Sequence, residues 1–213
     1  MTVYKYGNPE SRLVLIQPTG SHEISMLERE KSEIIKAIGE DVLLLAVNVD
    51  NWNSDLSPWN APAVFGDEPF GSGAANTLDE IVGLCEDKSK KYFLGGYSLA
   101  GLFSLWAAYQ TDIFCGIAAA SPSVWFPNFI SYMKENTVKC SCVYLSLGDR
   151  ESKTRNQVMA TVADRIKECE SILTKQNTVC TLEWNEGNHF KDADLRTARA
   201  FAWVIKNNTE TDS

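Results

Sequence analysis

The 213-residue sequence lacks the marks of a membrane protein or a nucleic-acid-binding protein. It has no run of about eighteen apolar residues, and its first residues do not join a basic start to an apolar stretch. The formal net charge is −8, the pI is near 4.9, and no cluster of lysine and arginine offsets this acidity. Such a balance disfavours anionic partners. We therefore expect a cytoplasmic protein that has no membrane and no nucleic acid among its partners.

Metal and disulfide signatures are missing as well. Six cysteines are scattered without Cys-x-x-Cys spacing or nearby histidines: Cys85, Cys115, Cys140, Cys142, Cys169 and Cys180. Reduced, mostly buried thiols explain this pattern better than zinc ligands or a disulfide framework. Internal repeats and low-complexity tracts are absent from the sequence too. Its length and apolar content suit one domain over residues 1–213, without a structural metal.

Short apolar runs typical of strands alternate with segments whose apolar residues recur at helical spacing. The predicted strands are 3–6 at an edge, 13–17, 42–49, 92–95, 116–120, 142–147 and 179–184. The predicted helices include 24–38, 77–85 and 158–173. Continuous apolar strands separated by helices indicate an α/β fold with a mostly parallel central sheet and helices on both faces.

Ser98 stands where a predicted strand meets an apolar-faced helix, within the run KKYFLGGYSLAGLFSLWAAY at 90–109. A hydroxyl at such a sharp turn points out of the sheet, next to the unpaired N–H groups of the helix N-terminus. The strained turn needs small residues two positions away on either side, and the chain has Gly96 and Ala100 there. This variant of the Gly-x-Ser-x-Gly elbow predicts Ser98 as a nucleophile. The competing interpretation is a serine that caps a helix after a glycine-rich turn.

A serine nucleophile needs a base, and the chain has only two histidines. His189 lies in a turn between the last predicted strand and the last helix, whereas His22 follows the first long strand. Enzymes with a nucleophile elbow carry their triad in the order serine, acid, histidine. His189 is therefore the predicted base, and His22 is expected to be a loop residue near the pocket.

The acid of the triad should follow the penultimate strand, where a buried carboxylate can hold the imidazole tautomer. The segment Leu-Gly-Asp-Arg-Glu at 147–151 offers Glu151 and, as the alternative, Asp149. In many enzymes of this kind the acid stands three residues beyond the strand-ending glycine, which favours Glu151. Asp149 would then support a turn or cap a helix. Asp192 and Asp194 are expected at the start of the final helix.

The oxyanion that forms when an ester carbonyl is attacked needs two aimed N–H donors. Leu99, directly after the nucleophile, is expected to supply one of them. The other should come from the loop after the first long strand, Gln-Pro-Thr-Gly at 17–20. Thr19 is the predicted donor, because Pro18 has no N–H group.

A long irregular stretch at 50–72 follows the C-terminal end of a predicted strand and is rich in proline, asparagine and aromatic residues. Connections this long in a compact domain are usually functional or mobile, and ligands bind beyond this edge of a parallel sheet. Trp52, Trp59, Phe65 and Phe70 can therefore form a wall or flap over the site. Alternatively, these rings pack the loop onto the body of the protein.

At these residues the chain resembles the esterase branch of the α/β-hydrolases that includes esterase-D-like, feruloyl-esterase-like and enterochelin-esterase-like proteins. The resemblance covers most of the chain, from residue 13 to residue 205. The motifs that carry it are Gly-Tyr-Ser-Leu-Ala-Gly at 96–101, Ala-Ser-Pro-Ser-Val-Trp at 120–125, Gly-Asp-Arg-Glu at 148–151 and Gly-Asn-His-Phe at 187–190. Two positions depart from the pattern: Ala100 replaces the second elbow glycine, and Gln17-Pro18 stands where many relatives carry His-Gly.

The resemblance implies a cofactor-independent serine hydrolase that cleaves carboxylic esters through a Ser98–His189–acid triad and an acyl-enzyme. It also implies that Trp125 lies near the bound substrate. The predicted substrate-binding residues are therefore Trp52, Trp59 and Trp125. The chain is too short for a large cap domain, which favours small or sugar-linked ester substrates.

Several functional alternatives use the same residues. Thioester or amide hydrolysis and acyl transfer to an alcohol need the same machinery, whereas a catalytically silent binding module would merely retain the hydrolase scaffold. The departures at Ala100 and Gln17-Pro18 would permit such a silent module. The sequence leaves open the acyl group, the alcohol and the oligomeric state, with a homodimer as one alternative.

Overall fold

The computed structural model describes residues 2–21 and 23–208. This part of the chain forms seven strands: β1 Val3–Gly7, β2 Leu13–Thr19, β3 Leu43–Asn48, β4 Lys91–Tyr97, β5 Phe114–Ala120, β6 Cys142–Gly148 and β7 Val179–Asn185. Its seven α-helices are α1 Leu27–Ile38, α2 Trp52–Asp55, α3 Ala74–Val82, α4 Leu99–Gln110, α5 Phe129–Glu135, α6 Val162–Lys175 and α7 Ala193–Asn207. Short 3₁₀ turns at Ile24–Met26 and Met159–Thr161 lead into α1 and α6.

The strands form one sheet in the order β1-β3-β2-β4-β5-β6-β7. β1 pairs with β3 in the antiparallel sense, and each of the other neighbouring pairs is parallel. The prediction of a mostly parallel sheet with 3–6 as an edge strand is confirmed. Because β2 to β7 run in one direction, their carboxyl ends meet at the same edge of the sheet, where ligands bind in folds of this kind.

Helices cover both faces of the sheet, as predicted, and each face has its own apolar core. On one face, Ile34 of α1 and Phe201 of α7 are buried together with Phe93 of β4. On the other face, α3 to α6 bury residues such as Phe103 of α4 and Ile166 of α6. The strand β5 is buried along its whole length, because a parallel strand in such a sheet is covered from both sides.

Several element boundaries differ from the sequence prediction. β2 and β4 continue to Thr19 and Tyr97, past the predicted ends at 17 and 95. The 3₁₀ turns replace the first turns of the predicted helices 24–38 and 158–173, and α3 begins and ends earlier than the predicted 77–85. The seven-residue helix α5 was not predicted, because so short a segment shows little periodicity.

The longest connection between described strands runs from Asn48 to Lys91 and contains α2 and α3. Its residues Leu56 and Phe70 belong to the core on the α4 face of the sheet. The connection therefore packs onto the body, and residues 2–21 and 23–208 contain no large cap domain. No helix in this described part is long and apolar enough to cross a bilayer.

Candidate active site

Ser98 lies at the joint between β4 and α4, as predicted. Its backbone has φ 57° and ψ −118°, a strained conformation that a sharp strand-to-helix turn requires. The Ser98 carbonyl accepts hydrogen bonds from the N–H groups of Leu102 and Ser123, both at 3.0 Å. A Cβ atom added at Gly96 would lie 2.7 Å from the Cβ of Ala100, so the turn needs glycine at position 96. Alanine fits at position 100 because its partner across the turn has no side chain.

His189 and Glu151 converge on this serine. The Ser98 Oγ atom lies 3.0 Å from His189 Nε2, and His189 Nδ1 lies 2.7 Å from Glu151 Oε2. When Nδ1 carries its proton towards Glu151, Nε2 is left as an acceptor for the serine hydroxyl. The three side chains thus form a continuous hydrogen-bonded chain at the carboxyl edge of the sheet.

Asp149, the alternative acid, does not reach the histidine. Its Oδ1 atom accepts a hydrogen bond of 2.7 Å from the N–H group of Gly187, and its side chain is half exposed. Asp149 therefore ties the turn after β6 to the loop that carries His189. The choice that the sequence left open between two carboxylates falls geometrically on Glu151.

The carboxylate of Glu151 is held by donors on both oxygens. Oε1 accepts hydrogen bonds from the Gly148 N–H at 2.7 Å, Ser121 Oγ at 2.8 Å and Arg196 Nη1 at 3.0 Å. Oε2 is thereby left to His189. Such charge-assisted hydrogen bonds fix the orientation of the buried carboxylate.

Tyr97, the residue before the nucleophile, extends this polar cluster. Its hydroxyl donates to the backbone carbonyl of His189 at 2.7 Å and accepts from Arg196 Nη1 at 3.0 Å. Burial, reinforced by the nearby charge of Glu151, raises the pKa of Tyr97 to about 12. The phenol therefore keeps its proton and remains a donor to the histidine loop at physiological pH.

The two predicted oxyanion donors have different surroundings. Leu99 is the first residue of α4, where the backbone N–H has no partner within the helix. The prediction of the Thr19 N–H as the second donor is wrong. The Thr19 carbonyl accepts a hydrogen bond from the Val49 N–H at 3.1 Å, and the N–H and C=O groups of one strand residue face the same neighbouring strand. The N–H of Thr19 therefore faces β3, on the side of β2 away from Ser98.

Gly20 follows Thr19, so its N–H faces the β4 side of β2. The pairing of β2 with β4 ends at Ile16 and Leu94, and Gly20 and Ser98 each lie four residues further along the chain. In this structure the Gly20 N–H donates to Glu23 Oε2 at 2.8 Å. Gly20 is thus the candidate second donor, and a carboxylate currently occupies it.

A cavity of about 630 Å³ opens beside Ser98 and is mainly apolar. Its lining includes aromatic residues from several loops, namely Trp52, Phe65, Trp125 and Phe190. Ser98, His189 and Glu23 supply polar atoms to the same wall, and no lysine or arginine among the described residues lines it. The dimensions suit a small ligand.

Two of the three predicted substrate-binding tryptophans line this cavity, and one does not. Trp52 and Trp125 contribute to the wall, as does Phe65 of the long connection. The prediction that Trp59 binds substrate is wrong. Its ring packs against Phe126 and Tyr132, and its indole N–H donates to the Pro127 carbonyl at 3.0 Å. Trp59 therefore fastens the connection to the body, which is the alternative role that the sequence left open.

Phe70 has the same packing role. It is 3% exposed and meets Phe65, Trp125 and Phe126 at ring distances between 5.1 and 6.1 Å. The aromatic wall of the cavity thus rests on a second aromatic layer. His22, expected near the pocket, lies outside the described residues. Within residues 2–21 and 23–208, no group of three or more His, Cys, Asp or Glu side chains could hold a metal ion.

Sequence reasoning missed the side chains that support the triad. Ser121 and Ser123 stand in the motif at 120–125, but the motif does not say what they contact. Ser123 Oγ lies 3.3 Å from Ser98 Oγ, and Ser121 donates to Glu151. Arg196 carried no signal at all, because an arginine on an amphipathic helix ordinarily faces solvent.

No family model matches the sequence, and no curated protein matches it either. Solved structures do share its fold. The siderophore hydrolase EstA from Aspergillus nidulans has a TM-score of 0.64 at 19% identity, over 91% of this chain and 82% of that chain. The IroE-like serine hydrolase from Shewanella oneidensis has a TM-score of 0.72 at 15% identity, over 96% of this chain and 75% of that chain.

The enterobactin esterase FES from Shigella flexneri has a TM-score of 0.64 at 12% identity, over 96% of this chain and 55% of that chain. At these identities the likeness establishes the fold: the chain has the α/β-hydrolase fold that these hydrolases share. The fold implied by the sequence resemblance is confirmed.

Proposed function

We propose that this protein is a serine hydrolase that cleaves carboxylic esters. The observation that carries the proposal is the unbroken chain from Ser98 Oγ through His189 to Glu151, with contacts of 3.0 and 2.7 Å. The solved structures that share the fold add support, because they are a siderophore hydrolase, an IroE-like serine hydrolase and an enterobactin esterase.

In the first half-reaction, Ser98 Oγ attacks the ester carbonyl while His189 Nε2 accepts the hydroxyl proton. The tetrahedral intermediate collapses, the bond to the alcohol oxygen breaks, and His189 returns the proton to the leaving alcohol. This leaves an acyl group on Ser98. In the second half, His189 takes a proton from water, the resulting nucleophile attacks the acyl-enzyme, and the acid leaves as Ser98 regains its proton.

Glu151 holds the imidazole in the tautomer that leaves Nε2 free to accept, and its charge stabilises the imidazolium formed during attack. Three donors saturate Oε1, so the negative charge available to His189 is directed through Oε2. The carboxylate thus keeps one orientation throughout the cycle.

The developing oxyanion is assigned to the N–H groups of Leu99 and Gly20. Leu99 adds the positive end of the α4 dipole. The Gly20 N–H serves the oxyanion only after Glu23 releases it, since one N–H donor makes one strong hydrogen bond. This requirement makes the loop between β2 and α1 part of the reaction.

The cavity favours small, largely apolar esters without a negative charge. Its aromatic wall accommodates an apolar chain, an aromatic ring or the face of a sugar. A negatively charged acyl group would lie near the carboxylate of Glu23, and no lysine or arginine among the described residues lines the cavity to pair with it. We therefore place small or sugar-linked neutral esters first among the substrates.

The decisive experiment is hydrolysis of p-nitrophenyl acetate and butyrate by wild type, Ser98→Ala and His189→Ala. We expect each variant to lose about 10⁶-fold in kcat, since members of a triad act as a unit. The matched control is Ser104→Ala, because the Ser104 hydroxyl donates to the Ala100 carbonyl inside α4, its partner among the described residues. Equal rates for wild type and Ser98→Ala would remove the assignment.

A fluorophosphonate probe separates the silent-scaffold alternative from an active enzyme. Covalent labelling of wild type but not of Ser98→Ala shows a reactive serine, whereas folded wild type that stays unlabelled favours a binding module. A panel of thioester, amide and ester donors, with and without acceptor alcohols, then distinguishes hydrolysis of oxygen esters from thioester cleavage and acyl transfer.

A further inference from the structure

Arg196 of α7 is a buried cation directly beneath the triad. Its side chain is 1% exposed. Nη1 donates to Glu151 Oε1 and Tyr97 Oη, both at 3.0 Å, and to Ser121 Oγ at 3.4 Å. Nη2 donates to the backbone carbonyls of Glu186 and Asn188, both at 3.2 Å. One guanidinium thus joins β4, the loop after β5, the loop after β6 and the histidine loop.

We infer that Arg196 is a positioning residue that fixes both the place of His189 and the electrostatic surroundings of its ring. The inference rests on the proposed function, because the reaction gives His189 its task as base. Two independent arms of the guanidinium act on the histidine: one through the carboxylate of Glu151 and one through the backbone of the loop.

The first arm is electrostatic. Arg196 neutralises Glu151, which otherwise would offer a full buried negative charge to the imidazole. A carboxylate shared with a guanidinium presents less negative charge to the imidazole than an unpaired one. Without the guanidinium that charge would be uncompensated, and we expect the acid side of the activity profile to shift upward.

The second arm is mechanical. His189 sits on a loop whose next residue, Phe190, is 87% exposed, so apolar burial of that side chain does not hold the loop in place. Besides the bond between Gly187 and Asp149, the loop backbone is held at Glu186 and Asn188 by Arg196 and at His189 by Tyr97. Tyr97 is itself bonded to Arg196, so the contacts at Glu186, Asn188 and His189 all depend on one side chain.

Only arginine fits this position. A buried cation is strongly unfavourable unless all its donors are satisfied, and the guanidinium presents five N–H groups in a rigid planar fork. The fork reaches acceptors on two different loops at once. Lysine could keep the charge beside Glu151 but cannot span Glu151 and the two loop carbonyls.

The test compares Arg196→Lys, Arg196→Met and the control Arg199→Met in p-nitrophenyl butyrate hydrolysis between pH 5 and pH 9. Arg199 lies on the same helix but is half exposed; it pairs with Glu183 at 3.6 Å and donates to Asn185 Oδ1, without a hydrogen bond or ion pair to Ser98, His189 or Glu151 among the described residues. Folding is checked by circular dichroism, and all rates are taken well below each variant's melting temperature.

We expect Arg196→Met to lose about 100-fold or more in kcat/KM, the loss that misplacement of a catalytic group by about 1 Å produces. Its acid limb should move up by about half a pH unit or more, because the cation beside Glu151 is gone. Arg196→Lys should keep the pH profile but lose roughly 10-fold in kcat/KM, since the charge remains and the fork does not. Arg199→Met should match wild type in both.

Two outcomes overturn the inference. A folded Arg196→Met with the wild-type pH profile and rate would reduce Arg196 to a packing residue. If that variant does not fold, Arg196→Lys decides alone: wild-type kcat/KM would refute the clamp, and a shifted profile would refute the electrostatic arm.

A spectroscopic readout keeps this test separate from the proposed function. The Nδ1 proton of His189, shared with Glu151, should give a downfield proton NMR signal that is absent from His189→Asn. We expect Arg196→Met to broaden or abolish that signal even if no ester is hydrolysed by any form of the protein. An unchanged signal in folded Arg196→Met would sink the inference whatever the enzyme's activity.

Discussion

Two ionisable side chains are buried on the same face of the sheet, and they differ in their partners. Arg196 of α7 donates to five acceptors around the triad. Glu30 of α1 is 2% exposed and accepts one hydrogen bond of 3.5 Å, from Gln17 of β2. Its Oε1 atom and the Oε1 atom of Gln17 have no hydrogen-bond partner among the described residues.

The difference shows in the charge state of the two groups. Burial raises the pKa of Glu30 well above its ordinary value; the Gln17 hydrogen bond opposes this, and the charges of Glu23 and Asp194 add to it. A neutral Glu30 can donate its proton to Gln17 Oε1, which would satisfy both orphaned oxygens. Arg196 needs no such change, because Glu151 supplies the opposite charge. A buried ionisable group thus keeps its charge where an opposite charge and hydrogen-bond partners surround it, and it becomes neutral where they are missing.

Among the residues that contact Arg196, we expect Glu151→Gln to have the largest effect on kcat. An amide can present a donor to His189 Nδ1 and so favour the wrong tautomer, and we expect kcat to fall by about 10⁴-fold. Asp149→Asn is the matched control and should change kcat less than about 3-fold, because an amide oxygen still accepts from Gly187. If Asp149→Asn is the more damaging change, the acid has been assigned to the wrong carboxylate.

Gly148→Ala should disrupt the same region from the backbone. The added Cβ would lie 2.4 Å from the Gly187 carbonyl oxygen, 2.9 Å from Glu151 Oε1 and 3.1 Å from Arg196 Nη1. The carboxylate must then shift, and we expect kcat/KM to fall by about 100-fold. Gly83→Ala is the control, since its nearest contact would be 3.3 Å in a helical conformation. Steady-state kinetics on both variants measures this difference. Equal kcat/KM values for Gly148→Ala and Gly83→Ala would contradict the expectation.

Tyr97→Phe removes one link of the clamp without removing a charge. Loss of the bonds to the His189 carbonyl and to Arg196 should lower kcat/KM by roughly 10-fold while the pH profile stays in place. Tyr92→Phe loses a hydroxyl whose partner among the described residues is the Asp87 carbonyl at 3.1 Å, and should behave as wild type. A shifted profile in Tyr97→Phe would mean that the electrostatic and mechanical arms are not separable.

Substitution of Glu30 should have a smaller effect, and it should change the stability of the protein. The pKa of Glu30 is raised in the folded state, so its contribution is present below the ordinary value of 4.5 and lost as pH rises through the folded value. Glu30→Gln abolishes that titration and keeps the hydrogen bonds. We expect it to add about 1–2 kcal/mol to the free energy of unfolding at pH 8 and nearly nothing at pH 4.

Urea unfolding at the two pH values measures this difference. The control is Glu33→Gln, an exposed acid on the same helix beside Lys36, which should change stability by less than about 0.5 kcal/mol at both. A gain in Glu30→Gln that is equal at pH 4 and pH 8 would show that Glu30 does not discharge on folding.

Local patterns in the chain predicted most of the architecture and the core of the site. Strand runs, helical periodicity and the turn chemistry around Ser98 each act within a few residues, so they can be read from the sequence one segment at a time. In folds with a nucleophile elbow the triad follows the order serine, acid, histidine along the chain. This order predicted His189 as the base and narrowed the acid to Glu151 or Asp149. Nothing beyond the alternation of strands and helices was needed to expect a parallel sheet.

Tertiary structure decided the rest, because those properties depend on which element lies beside which. The direction of the Thr19 and Gly20 N–H groups follows from the position of β2 between β3 and β4, and no local pattern encodes that order. Trp59 faces the body because Phe126 and Tyr132 offer it a surface. The site of Arg196 exists only where α7 docks under four separate segments, so its charge could be explained only after the chain had folded around it.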